Sequence, residues 1–314
     1  CEPHVTAGAS WNPVPRDSVA MGILIKEGLR TFKKTKSHYV KLRFAYQLIR
    51  LAHYRKDYQQ TLDLYDYLMP KTDNDPSILE DWILGHKAGA LLALGKNVEA
   101  SYLYALIIQR SPSKRERAYR SFRITTDEEW HECQLLCQAD PERATLYALR
   151  AHAEDSKAAE EMASIYKLDP QNVNLELLLL REIRKLEKDL LGLEFNDEKR
   201  NNRRFFDLPR KRAKIYLDEL QNLVTRLAWE LKVTRPLLWR IAEAYLEFLD
   251  GDLFAAKDSF DQIQPVVPKG VLRDQVDAFR LALRVNMMDA MTLGIEEEVY
   301  ELIHREPYYR QNPY

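Results

Sequence analysis

Apolar residues recur along most of this chain at spacings of three and four, and strict apolar–polar alternation is rare. That period puts them on one face of an α-helix rather than on one side of a strand. Ile23, Leu24, Leu29 and Phe32 mark a first helix over 19–32, with Asp17 or Ser18 as its cap. Ala45, Leu48, Ile49 and Ala52 mark a second over 38–54; Lys56-Asp57-Tyr58 turns the chain, and 59–69 returns it as far as Pro70. Thr72-Asp73-Asn74-Asp75-Pro76 reads as a loop, since Asn, Asp and Pro favour turns, and Asp75 or Ser77 caps the helix that carries Trp82. That helix runs to a tight turn at Gly95-Lys96-Asn97, and Pro112 closes the helix that follows. A short basic helix over 114–122 comes next. Thr126 with Glu129 then forms a capping box that opens 128–138, and Asp140-Pro141 opens another helix. Leu-rich 174–191 ends at Gly192; 214–231, 237–249 behind Pro236, 271–290 and 295–303 complete the set, so the expected fold is all-α.

Within this pattern one motif recurs. Gly95, Ala100, Tyr104, Ile107 and Pro112 are separated by 5, 4, 3 and 5 positions, and Gly251, Ala256, Phe260, Ile263 and Pro268 repeat those spacings. Ala153, Ala158, Met162, Ile165 and Pro170 repeat them with Ala in the turn, and Lys56, Thr61, Tyr65 and Leu68 follow without the final Pro. The spacing has a physical reading. A small residue early in the second helix of a hairpin lets its partner approach, a large apolar residue four later fills the space above it, and Pro stops the helix. Such a hairpin cannot bury its own apolar face, so neighbours must stack.

The motif resembles the tetratricopeptide repeat, and the resemblance implies a helix-hairpin solenoid wound as a right-handed superhelix. The small-residue positions lie 39, 58 and 98 residues apart, where a tandem array keeps about 34, so irregular helical insertions are expected between repeats. The domain layout that follows is a tether over 1–17, a repeat domain over 18–306 with a long polar loop at about 194–212, and a tail over 307–314. In that family the first helix of each hairpin lines a groove that binds peptides or proteins. Carried onto this chain, the groove set is Arg43, Tyr46, Arg50 and His53 in the first hairpin, Arg143, Tyr147 and Arg150 in the third, and Leu238, Ile241, Tyr245 and Phe248 in the fourth. Aromatic and arginine side chains are what interface hot spots are made of. The alternative is that insertions fill the groove and these side chains pack between helices.

Charge narrows the partners. The chain has 314 residues with 47 basic against 48 acidic side chains, so no global field steers it to nucleic acid or to a membrane surface. No apolar run reaches the length of a membrane span. Locally, Lys199, Arg200, Arg203, Arg204, Arg210, Lys211 and Arg212 surround Phe205 and Phe206. This basic patch suits RNA, by phosphate contact and stacking, or an acidic partner; its plainer reading is a solvated loop.

The first residue is Cys, and Cys1-Glu2-Pro3-His4 is similar to the mature end of a bacterial lipoprotein, in which that cysteine carries the lipid. Together with divergent repeats this resembles repeat-bearing lipoproteins of Bacteroidota. Cys1 is therefore the expected lipidation site, and a lipid is the expected contact with the membrane. His131, Cys133 and Cys137 share one helix, but they lack a fourth ligand nearby and read as buried thiols rather than a zinc site. No phosphate-binding glycine loop, nucleophile elbow or paired-His zinc motif occurs. Acidic residues stand at helical spacing beside Lys and Arg, the pattern of surface pairing. The expectation is a non-enzymatic scaffold without metal, cofactor or small-molecule substrate. It would be lipid-anchored in a Gram-negative envelope, in the outer membrane or periplasm, and would dock a membrane or secretion complex. The alternative is a soluble cytoplasmic adaptor or regulator that binds RNA or an acidic partner through 199–214.

Overall fold

The structure, a computed structural model, describes residues 2–5, 17–72, 77–153, 156–192, 209–290 and 292–305. Cys1, Lys199, Arg200, Arg203, Arg204, Phe205, Phe206 and the 307–314 tail lie outside them. Among the described residues the chain is all-α, with no strand. It divides into two compact units, residues 1–149 and 150–314.

The first unit opens with a single helical turn, α1 (Glu2–Val5), inside the expected tether; Val5 is buried and α1 touches α3. Then come α2 (Ser18–Lys34), α3 (His38–Tyr54), α4 (Tyr58–Leu68), α5 (Ile78–Ala93), α6 (Asn97–Arg110), α7 (Arg115–Ser121), α8 (Asp127–Leu136) and α9 (Asp140–Ala151), which reaches the boundary. A 3-10 turn, Met69–Lys71, follows α4. The second unit holds α10 (Ala158–Leu168), α11 (Val173–Leu191), α12 (Arg210–Glu230), α13 (Pro236–Asp250), α14 (Leu253–Ile263), α15 (Val271–Asn286) and α16 (Leu293–Arg305).

Local chemistry sets these boundaries. The carboxylate of Asp17 accepts from the Val19 and Ala20 amides, Ser77 Oγ from Leu79 and Thr126 Oγ from Glu129. Glu129 reaches back to the amide and hydroxyl of Thr125, so the capping box closes one residue earlier than the motif requires. α12 begins at Arg210, four residues before the expected start, because Arg, Lys and Ala are good helix formers and nothing after Pro209 breaks the run. Arg210, Lys211 and Arg212 are thus exposed on its first turn rather than in a loop.

Packing is between chain neighbours. α2 meets α3, α3 meets α4 and α5, α4 meets α5, and α5 meets α6; in the second unit α12 meets α13, α13 meets α14 and α15, and α14 meets α15. The repeated motif residues are the ones that carry these contacts inward. Ala100, Tyr104 and Ile107, then Ala158, Met162 and Ile165, then Ala256, Phe260 and Ile263 are all buried, as are Thr61 and Leu68.

Three hairpin turns share one backbone device. Lys56, Gly95 and Gly251 have φ of +66°, +78° and +94°, and each stands five residues before the small residue of its motif. In each, the amide of the following residue bonds the carbonyl five back: Asp57 to Ala52, Lys96 to Leu91, Asp252 to Glu247. That 6→1 bond satisfies a carbonyl the helix end leaves open.

Beyond the apolar core, the second unit buries four glutamates. Glu161 bonds Arg150 (2.7 Å), Glu176 bonds Arg235 (3.0 Å), Glu182 bonds Arg181 and Tyr216 (2.7 and 2.8 Å), and Glu187 bonds Tyr245 (2.6 Å). Here the pattern of solvated surface pairing does not hold. α11 packs against both α12 and α13, so its acidic stripe is covered and survives only because each carboxylate has a donor. Burial pushes the Tyr216 and Tyr245 hydroxyls up, and the carboxylates that accept from them add to it.

Candidate functional site

The candidate site is a pocket of about 270 Å³ in the first unit, built by α3, α5, α6 and α7. α3 supplies Tyr46, His53 and Tyr54, and its spacing puts Tyr46 and His53 two turns apart on one face. α5 supplies Asp81, Trp82, Gly85, His86 and Gly89, again at three and four residue steps. Tyr104 and Ile107 come from α6, Lys114, Arg117 and Ala118 from the start of α7, and Lys56 and Tyr58 from the α3–α4 turn.

The walls are aromatic. His53 and His86 rings lie 5.0 Å apart; Tyr46 is 5.7 Å from Trp82 and 6.0 Å from His86, and Tyr58 is 5.7 Å from His53. The cations lie over these rings. Lys114 Nζ stands 4.6 Å from the Trp82 ring, and the Arg50 guanidinium 5.7 Å from both Tyr46 and Tyr54. Such cation–π contacts hold a charge without neutralising it. Among the described residues no carboxylate pairs with Arg50, Lys56, Lys114 or Arg117, and Asp81 is the one acid of the lining.

Electrostatics follow from that excess of positive charge. Burial lowers the His86 pKa to about 3, and His53, Arg50, Arg117 and Lys114 depress it further in that order. His86 is therefore neutral at pH 7, with one ring nitrogen donating and one accepting. The indole Nε1 of Trp82 is buried and has no acceptor among the described residues.

Of the groove set, Tyr46 and His53 line this pocket and Arg50 lies over two of its tyrosines. Arg43 instead lies over Tyr39, 4.4 Å from its ring, and donates to its hydroxyl. Arg143 bonds Asp140 and the Cys137 carbonyl, and Tyr147 stacks edge-on against Trp130 at 5.6 Å. In the second unit Arg150 is held by Glu161. Tyr245 is buried with its hydroxyl on Glu187, stacked 5.8 Å from Phe248 and 4.2 Å from Phe279, and Ile241 is buried while Leu238 is half-buried. The pocket thus gathers Tyr46 and His53, with Arg50 over its tyrosines, while Arg43 and the members from the other hairpins bond or pack locally.

Sequence reasoning did not single out His86, Gly89, Lys114 or Arg117. A signal was present: Gly85 and Gly89 sit four apart inside one helix, where each costs about 1 kcal/mol against Ala, and an interior glycine marks a close approach. Cys133 and Cys137 are buried beside Trp130 and Leu146, with the Cys137 thiol 3.6 Å from the Cys133 carbonyl, while His131 is exposed. Burial pushes the Cys133 thiol up to about 12 and the Cys137 thiol up to about 11. Among the described residues no three His, Cys, Asp or Glu side chains are grouped to hold a metal ion, and no helix is long and apolar enough to cross a membrane. Compared with protein-family profiles, with curated proteins and with solved structures, the chain has no match.

Proposed function

We propose that this protein is a non-enzymatic interaction scaffold, a tetratricopeptide-like stack of helix hairpins, whose basic and aromatic face around α3, α5 and α7 docks an acidic segment of a protein partner. One observation carries this reading. Arg50, Lys56, Lys114 and Arg117 surround a wall of tyrosines and Trp82, and among the described residues Asp81 is the one acid in the lining. A partner's carboxylates offset that charge, and its apolar side chains cover the rings, which is the composition of a binding hot spot. The repeated buried triplets support the hairpin stack, and Tyr39 and Arg43 on the outer part of α3 extend the face towards the ~800 Å² that a stable interface takes from each partner.

The test is crosslinking of the tagged full chain in its own cells, with partners identified by mass spectrometry. Arg50→Glu with Lys114→Glu reverses two of the cations without touching the core. We expect the partner's yield to fall about tenfold or more while circular dichroism and melting temperature stay unchanged. Lys157→Glu, on the exposed start of α10, should leave the yield intact. Equal recovery of the same partner by the folded double variant overturns the docking face.

A further inference from the structure

The pocket itself is more selective than the face around it. Its size is the first constraint. A cavity of about 150 Å³ takes a benzene ring, and drug-sized ligands occupy roughly 300 Å³ upwards; at about 270 Å³ this one has room for one ring and a short polar arm. Its walls are the second. Tyr46, Trp82, His53 and His86 meet at centroid separations of 5.0–6.0 Å, and the floor beside them is Gly85, Gly89, Ile107 and Ala118. The absent side chain at Gly85 leaves bare helix backbone, against which a planar group lies flat, while the His53 ring covers Gly89. Gly85 in particular faces open space: a Cβ there meets only Ile107 Cδ1, at 3.8 Å.

Polarity is the third constraint. Among the described residues Lys114, Arg117 and Lys56 line the pocket with Asp81 as the single acid, so an anion is attracted. Neutral His86 is a donor within the lining. A ligand that brings an acceptor oxygen meets it.

We infer that this pocket binds an aromatic monocarboxylate, its ring lying between Tyr46, Trp82 and the two histidines and its carboxylate held by Lys114 and Arg117. The inference rests on the reading of this face as a binding face and names the chemistry it takes. Two sources share that chemistry: a free arylcarboxylate, and an aromatic residue that carries the terminal carboxyl of a partner chain.

The experiment is titration of the full-length protein with phenylacetate, cyclohexylacetate, acetate and benzyl alcohol, read by calorimetry and by the NMR signals of the His53 and His86 rings. Phenylacetate should saturate, shift both histidine signals, and bind at least tenfold more tightly than the other three. Lys114→Gln with Arg117→Gln, two partly or fully exposed positions, should weaken phenylacetate about tenfold and leave benzyl alcohol unchanged. Gly85→Leu, which grows into the open space, should abolish both. Acetate or cyclohexylacetate binding as well as phenylacetate overturns the inference, and so does an absence of saturation at about 10 mM or binding that leaves both histidine signals still. N-acetyl-Gly-Gly-Phe with a free carboxyl separates the sources: tighter binding than phenylacetate assigns the chain end, and equal or weaker binding assigns the free molecule. Probe binding alongside undiminished partner capture by the Arg50→Glu, Lys114→Glu variant sinks the docking face alone. Loss of capture without probe binding sinks the pocket chemistry alone.

Discussion

A Cβ added to Gly89 would stand 2.8 Å from the Cε1 of His53, closer than real Cβ atoms approach. Gly89 therefore lets α5 and α3 close on each other with the His53 ring between them. That ring is hemmed by Tyr54, Tyr58 and His86, so it cannot swing aside without disturbing the pocket.

The pair Gly89 and Gly85 gives opposite outcomes for the same substitution. Alanine in a helix interior gains about 1 kcal/mol over glycine. At Gly85, where the added methyl makes ordinary contact, Gly85→Ala should raise stability by roughly 0.5–1 kcal/mol. At Gly89 the clash costs about 1–3 kcal/mol, as overpacking does, so Gly89→Ala should be neutral to destabilising and should shift the His53 ring signal. Urea unfolding of the two variants checks this; a Gly89→Ala protein as stabilised as Gly85→Ala would contradict the close approach.

Acid should destabilise the first unit through His86. Its pKa is about 3 in the folded chain and about 6.5 when unfolded. Between those values the unfolded chain binds a proton that the folded chain refuses, so this contribution is complete above pH 6.5 and is lost as pH falls towards 3. The loss between pH 7 and pH 5 is about 2 kcal/mol. His152, whose pKa burial and then Arg181 also lower, acts in the same direction, so the readout is a difference between proteins. Urea midpoints at the two pH values should fall less for His86→Gln than for the parent, and an identical fall in both would refute the assignment.

Lys56, like Leu231 at φ +56°, is at odds with its own backbone. It adopts φ +66° where the equivalent turns place Gly95 and Gly251. The left-handed region costs a residue with a Cβ about 1–2 kcal/mol. Lys56→Gly should stabilise the protein by up to about 1 kcal/mol, the greater freedom of glycine in the unfolded chain taking back the rest. Gly95→Ala should cost a similar amount. Thermal melts of both variants test the shared turn, and a destabilised Lys56→Gly would break the equivalence.

The thiols of Cys133 and Cys137 should be inert in the folded protein. Raised to about 12 and about 11 by burial, they hold far less thiolate at pH 8 than a free cysteine near 8.5. Peptide mapping after maleimide treatment at pH 8 should find both at least a hundredfold slower to label than the same residues in urea. Rapid labelling of either in native protein would place it at the surface.

Much of the fold was legible because its causes are local. Caps at Asp17, Ser77 and Thr126, glycine at 95, 192 and 251, and the three-and-four apolar period each act within one or two turns of chain. The motif from Ala100 to Ile107 and its echoes at Ala158 and Ala256 likewise named their own buried residues, since a small residue followed by a large one has only one stable use between close helices. The pocket was not legible in that way. His53 and His86 meet only because Gly89 lets α5 approach α3. Lys114 reaches Trp82 only because α7 folds back over α6, and the charge they share with Arg50 and Arg117 is a sum over separate helices. The same holds for Glu182 and Glu187, which their own helix would leave in water and which α12 and α13 cover. Sequence alone thus determined most of the helical segments, though not α1 or the first turn of α12, and the inward residues of the repeated motif, though not those of α2, where Ile23 is exposed while Met21 and Ile25 are buried. Tertiary packing decided which faces meet, because burial and electrostatic potential belong to groups that are near in space and far apart along the chain.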